Sequence, residues 1–315
     1  MKDHDHGAHH HAAHHAGHAI ATPEGAGGRG AVSRRLVVVL SITAVFMVAE
    51  VVGGVLSGSL ALLADAGHMF TDVAALALSV FAMSLARRPP TARRTYGYAR
   101  LEILAALVNG ATLLLIAGLI MVEAWERLHE PRVIEGGIML AVATVGLVVN
   151  VVGVMLLHSH AHDNLNVRGA YLHVVGDLLG SVGTIAAGVV VLLTGWSPAD
   201  PIVSVVIALL ILYSAWNLVR EATDVLLESA PAHLDMEAIV ERLEGVDGLD
   251  QVHDVHVWTL TSGFVALSAH GIIDDPADHT RVLEEVRSRM AGFGIEHVTF
   301  QIELRTLHQL SKEVR

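Results

Sequence analysis

The chain has 315 residues, of which 53% are apolar and only 17% charged, and its net charge is −12. A soluble domain of this length carries roughly a quarter charged residues, so the composition excludes an ordinary water-soluble globule. Cysteine is absent, which excludes a disulfide framework and leaves histidine and carboxylate to build any metal site.

Residues 1–35 are rich in His, Ala and Gly, with eight histidines among the first eighteen positions (His4, His6, His9, His10, His11, His14, His15 and His18). Nothing in this stretch can bury a core, so it is expected to be a disordered arm that collects metal weakly. It lacks the short apolar run and cleavage site of a secretory signal. Six apolar stretches follow, at Leu36–Leu56, Leu60–Leu85, Leu101–Leu128, Ile134–Leu157, Ala170–Leu193 and Ile202–Val219. Each is long enough for a hydrocarbon core of ~30 Å at ~1.5 Å per residue, which predicts an all-α bundle of six transmembrane helices over residues 36–222. Arginine is concentrated in the segments that would lie on one side (Arg29, Arg34, Arg35, Arg87, Arg88, Arg93, Arg94, Arg100, Arg168 and Arg220), against Arg127 and Arg132 on the other. By the positive-inside rule both termini and the His158–Gly169 loop are cytoplasmic. Basic residues that are almost all Arg, with Lys only at Lys2 and Lys312, point to a GC-rich bacterial genome and hence to a bacterial inner membrane.

The character changes near Glu221. From there to Arg315 the chain holds 18 acidic and 7 basic residues. Its periodicity predicts helix (Asp235–Leu243), strand (Val252–Leu260), strand (Phe264–Ile273), helix (Ala277–Met290) and strand (His297–Leu304). Residues 223–315 thus read as a small α+β domain of αββαβ order. Its acidity argues against nucleic acid and anionic lipid headgroups as partners, so the lipid contact is left to the spans.

The second and fifth spans carry the chemistry. Asp65, His68 and Asp72 lie in the second, and His173 and Asp177 in the fifth, so each holds one His-x-x-x-Asp. That spacing puts both side chains on one helical face, a turn apart. An ionised carboxylate near mid-bilayer costs about 2.5–3.5 kcal/mol even on lenient scales. Brought together, His68, Asp72, His173 and Asp177 offer two nitrogens and two oxygens with a formal charge of −2. That set suits a tetrahedral divalent cation and favours zinc over calcium or magnesium. The pairs meet only if the fifth helix begins earlier than its apolar limit, near Asn164–Val167, or tilts; the earlier start is expected. Gly176, Gly180, Ser181 and Thr184 extend the same polar, small-residue face.

Other polar residues read more plainly. Glu50, Asn109 and Asn150 suit hydrogen bonds between helices, Glu102 an ion pair with the nearby arginines, and Asp200-Pro201 an N-cap followed by proline at the first helical position. An intramembrane metalloprotease would need His-Glu-x-x-His, and His129-Glu130 runs straight into Pro131. A passive metal channel or a membrane-anchored sensor would fit the helices, but neither uses the titratable ligands for exchange.

The paired His-x-x-x-Asp, the stretch Tyr96-Gly97-Tyr98-Ala99-Arg100-Leu101-Glu102, the loop His158–Gly169 and Val252-His253-Asp254-Val255-His256-Val257-Trp258-Thr259 together resemble the cation diffusion facilitator family. The likeness is to its zinc-transporting bacterial branch, near the cobalt–zinc–cadmium resistance exporters, and covers Arg35 to Leu307. It implies a homodimer, a C-terminal domain of metallochaperone-like fold, and metal-for-proton antiport by alternating access; the chain is then a secondary transporter rather than an enzyme. By position it assigns the transport site to His68, Asp72, His173 and Asp177. It places cytoplasmic Zn²⁺ ligands, for a bound regulatory ion, at His233, His253, His270 and Glu303. Family members with Asp in place of His68 also accept cadmium, so His68 implies zinc as chief substrate, with cobalt and cadmium secondary. Gln301 stands where the family can carry His, which leaves the stoichiometry of the cytoplasmic site open, and His256 rivals His253 on the same strand.

Overall fold

The computed structural model describes residues 29–86, 89–158 and 165–305, with side chains at all of these except 29–40, 76, 79, 80, 82–84, 86, 156–158 and 165–174. The arm up to residue 28 and the loop at 159–164 lie outside the described residues. Six long helices come first: α1 (Arg29–Ser57), α2 (Leu60–Ala86), α3 (Leu101–His129), α4 (Gly136–His158), α5 (Leu165–Thr194) and α6 (Ala199–Leu226). Among the described residues, four stretches are long and apolar enough to cross a membrane: Leu101–His129, Gly136–Met155, Val175–Thr194 and Ala199–Leu226. The described part of α1, Ser41–Ser57, is a shorter apolar helix. On α3, Leu104, Val108, Leu115, Leu119 and Val122 are exposed at helical spacing. Water would penalise such a stripe, and a lipid solvent accepts it.

The chain folds into two compact units, one from the chain up to Met69 with Val122–Ile207, the other from Phe70–Met121 with the chain from Ala208 onward. Helices α2, α3 and α6 each run from one unit into the other.

In the first unit α4 packs on both α1 and α5. Glycine permits the approach to α1. A Cβ at Gly53 would fall 2.6 Å from Val142, and one at Gly146 would fall 2.7 Å from Phe46. Close backbone approach of this kind supplies dispersion contact where lipid removes the hydrophobic drive. The α1–α2 turn is held by a buried polar network. Ser59 caps α2 by accepting from Leu62 N at 3.2 Å. Asp200, fully buried, accepts from Ser59 Oγ (2.6 Å), Leu60 N (2.7 Å) and Ala61 N (3.2 Å). Arg127, 7% exposed, donates to the carbonyl of Gly58 and to Glu123, and stands 4.0 Å from Asp200. This corrects the sequence expectation for Asp200. It caps α2 across the fold, where the unpaired backbone N–H groups and the helix dipole favour an anion.

In the second unit Gly110 of α3 lies against Val219 of α6, where a Cβ would meet the valine at 2.7 Å. The C-terminal part has the expected order: α7 (Met236–Glu244), β1 (Gln251–Thr261), β2 (Phe264–Ile273), a 3₁₀ turn (Pro276–Asp278), α8 (His279–Ala291) and β3 (Ile295–Leu304). The sheet runs β1-β2-β3, with β2 antiparallel to β1 and parallel to β3. Asp235 caps α7 by accepting from Glu237 N and Ala238 N. Ile239 and Leu243 of α7 and Val282, Val286 and Met290 of α8 are wholly buried with Leu267 of β2. Each such side chain stabilises the domain by about 1.5–3 kcal/mol relative to exposure.

Three contacts tie the start of α3 to this domain. Glu102 accepts from Thr261 Oγ1 and Ser262 Oγ in the β1–β2 turn, Arg100 pairs with Glu228 at 2.6 Å, and Tyr96 meets His297 edge-on at 5.9 Å. Among the described residues Glu102 is thus bonded to two hydroxyls of the turn where an arginine pair was expected.

Candidate metal centres

His68 on α2 and Asp177 on α5 come together across the first unit, with Nε2 and Oδ1 3.8 Å apart. Helix α5 begins at Leu165, in the range that such a meeting demands. Both side chains are largely buried, at 20% and 10% exposure. Asp72 stands one turn beyond His68 on α2 and is half-buried. His173 stands one turn before Asp177 on α5, and its side chain lies outside the described residues. Around these residues the spans are polar: Asp65, Thr71, Ser181 and Thr184 are buried, and Asn150 of α4 donates to Ser181 at 3.1 Å. A buried imidazole facing a carboxylate can accept a proton or share a divalent cation with it.

The second centre lies on the sheet. His253, His270 and Glu303 present donor atoms that all lie within 4.8 Å of one another. His270 Nδ1 is 3.2 Å from Glu303 Oε1, and His253 Nε2 is 3.9 Å from Glu303 Oε2. Two imidazoles and a carboxylate fit a zinc ion that keeps a fourth position open. Gln301 does not substitute for the histidine of the family pattern; its amide donates to Glu303 at 3.0 Å and so holds the carboxylate in place.

The two histidines of β1 differ in their neighbours rather than in their face. His253 lies opposite His270 and His256 opposite Ser268, with an irregularity between them. Plain alternation would send residues three apart to opposite faces. The extra residue of the bulge, with Asp254 at φ 52°, returns both to one face. His256 then bonds to Asp254 at 2.9 Å, and His253 is the one that meets Glu303. His233 is exposed before α7 and, among the described residues, is not part of the cluster, so three of the four expected cytoplasmic ligands come together. Asp254 was not singled out from sequence; its left-handed backbone was invisible there, since the region usually selects glycine.

A chain of apolar helices, a buried His–carboxylate pair within them and a His/Glu cluster on the C-terminal sheet are what a membrane protein that handles divalent metal would need. The comparisons agree. Residues 36–227 match the cation efflux transmembrane domain and residues 231–305 the cytoplasmic domain of cation efflux proteins. The chain belongs to the cation efflux, or cation diffusion facilitator, family. It is 47% identical over 280 residues to a zinc transporter of Shigella flexneri called ZitB, covering 88% of this chain and 89% of that one. A cadmium, cobalt and zinc/H⁺–K⁺ antiporter of Bacillus subtilis is 41% identical (82% and 85% covered), as is the metal cation efflux protein CzcD of Cupriavidus metallidurans (93% and 92%).

Proposed function

We propose that the chain exports Zn²⁺ from the bacterial cytoplasm in exchange for protons, through six spans and by alternating access. The observation that carries this reading is the meeting of His68 on α2 with Asp177 on α5 inside helices of the cation efflux domain. His68, Asp72, His173 and Asp177 bind the metal, supplying the −2 that offsets its charge where a bare divalent ion would be costly. Ligation needs neutral imidazole and ionised carboxylate, so zinc entry displaces the protons these groups held, and protons return when zinc leaves. The zinc transporter at 47% identity supports the substrate, and the relative named a zinc/H⁺–K⁺ antiporter supports exchange; cadmium and cobalt, named there, are secondary substrates here. Two copies form a dimer through the cytoplasmic domain. Accumulation of ⁶⁵Zn in sealed vesicles tests the reading, and binding with no flux would make the protein a sensor instead.

His253, His270 and Glu303 hold a further zinc ion that regulates and is not carried. Metal bound only by the folded domain stabilises it by RT ln(1 + [L]/Kd), about 2.7 kcal/mol at 100 Kd. In a chain whose membrane site is silenced by Asp177→Ala, zinc should still raise the melting temperature. Adding His270→Ala should remove most of that rise, as differential scanning fluorimetry in detergent would record. An undiminished rise would show that these side chains hold no ion.

A further inference from the structure

Glu50 of α1 is buried, at 1% exposure, and its carboxyl lies within hydrogen-bonding reach of Asp65 of α2, at 5%. Its Oε2 is buried and makes no hydrogen bond among the described residues. Helix α4 closes over it with a glycine: a Cβ at Gly146 would fall 3.4 Å from Glu50 Oε1. Among the described residues, Asp65 from α2 and Asp177 from α5, both of its own sign, stand near enough to act on Glu50. An ionised carboxylate only accepts hydrogen bonds, so a bond between two carboxyl groups requires a proton on one of them. Like charges this close do not both ionise without a cation, so such a pair favours one proton shared between two acids.

The pair also lies beside the metal centre. Asp65 precedes His68 by three residues on α2, and it faces α5 at Gly180, three residues beyond Asp177, where a Cβ would come to 3.9 Å from Asp65 Oδ1. We infer that Glu50 carries one of the protons exchanged for zinc, storing it against Asp65 while the metal site is empty and releasing it when a divalent cation arrives beside Asp177. Zinc adds two positive charges as it enters from the cytoplasm, one proton leaves the Glu50 carboxyl for the cytoplasmic water, and a proton from the outer side refills the position after zinc departs there. Glu50 touches no metal in this scheme. It sets how many protons the cycle moves and keeps the emptied site from stranding two bare carboxylates in a low dielectric. This inference rests on the zinc/proton reading above and extends it to a residue outside the ligand set.

Glu50→Gln tests it, because the amide keeps the shape and can still donate to Asp65 but has no proton to exchange. Protons released on zinc binding are counted by calorimetry of the full-length protein in buffers of different ionisation enthalpy, with ⁶⁵Zn binding measured on the same samples. Glu50→Gln should keep zinc affinity within about 3-fold and release about one proton fewer per zinc than the wild type. Glu50→Asp, with a titratable group restored, should recover the wild-type count. In vesicles the Gln variant should respond less steeply to outer pH. A Gln variant that binds zinc and releases the full complement overturns the inference. Loss of zinc binding in both variants also overturns it, by making Glu50 part of the binding structure. A wild type that releases no protons refutes the exchange reading itself, and it does so before any substitution is made.

Discussion

Replacing Asp177 by alanine is expected to abolish zinc transport while leaving the protein inserted and folded. Asp177 Oδ1 sits 3.8 Å from His68 Nε2 on a neighbouring helix. Its carboxylate supplies one of four donors and half the charge that the proposed site offers to a divalent cation. Losing a group that only orients a metal ligand lowers affinity about 10–100-fold, so losing a ligand outright should cost more than about 100-fold. Asp177→Asn should be nearly as inactive. It keeps an oxygen donor but removes the negative charge that lets zinc leave water. Initial ⁶⁵Zn uptake into vesicles would measure both, and flux like that of the wild type in either would remove Asp177 from the site.

The second large effect is on stability. Asp200→Ala should destabilise the fold by about 3–5 kcal/mol, the range for removing one partner of a buried charged pair. Asp200 holds Ser59 and two backbone N–H groups at the start of α2, and Arg127 is buried 4.0 Å away. Without the carboxylate, Arg127 keeps its bonds to Gly58 and Glu123 but loses its buried counter-charge. Asp200→Asn retains acceptors for the backbone and should lose less. Melting of the detergent-solubilised protein would rank them as wild type, Asn, Ala. An alanine variant as stable as the wild type would show that α2 needs no cap from α6.

Much of this was legible in the sequence, and the reasons differ by element. The apolar blocks marked long helices, four of which are apolar enough over their described length to cross a membrane, because backbone groups in lipid must pair within their own segment. The clash between helix limits and ligand depth pointed to an earlier start for α5, which begins at Leu165. The αββαβ order followed from alternation in the strands and 3.6-residue periodicity in the helices. What stayed hidden depended on contacts distant in sequence or on backbone conformation. Asp200 read as the cap of its own helix because Ser59 is 141 residues away. Glu102 read as an arginine partner because the β1–β2 turn it binds lies some 160 residues on. That His253 and His256 share a face depends on a bulge at a left-handed Asp254, which no period of two reveals. Glu50 and Asp65 were each visible as acids in spans, a pattern that marks proton paths; that they lie within hydrogen-bonding reach of each other was not.

The most direct measurement is initial ⁶⁵Zn uptake into everted vesicles, with the pH of the lumen and of the bath set independently. Zinc ligation needs neutral imidazole and ionised carboxylate, so the ligands must lose protons to take up zinc inside and regain them on the more acid outer side. Zinc–proton exchange predicts opposite responses on the two faces: an acid lumen, equivalent to the outer side, accelerates uptake, and an acid bath suppresses it. Uptake that follows the zinc gradient alone, indifferent to pH on the luminal side, would contradict exchange and describe a facilitated channel.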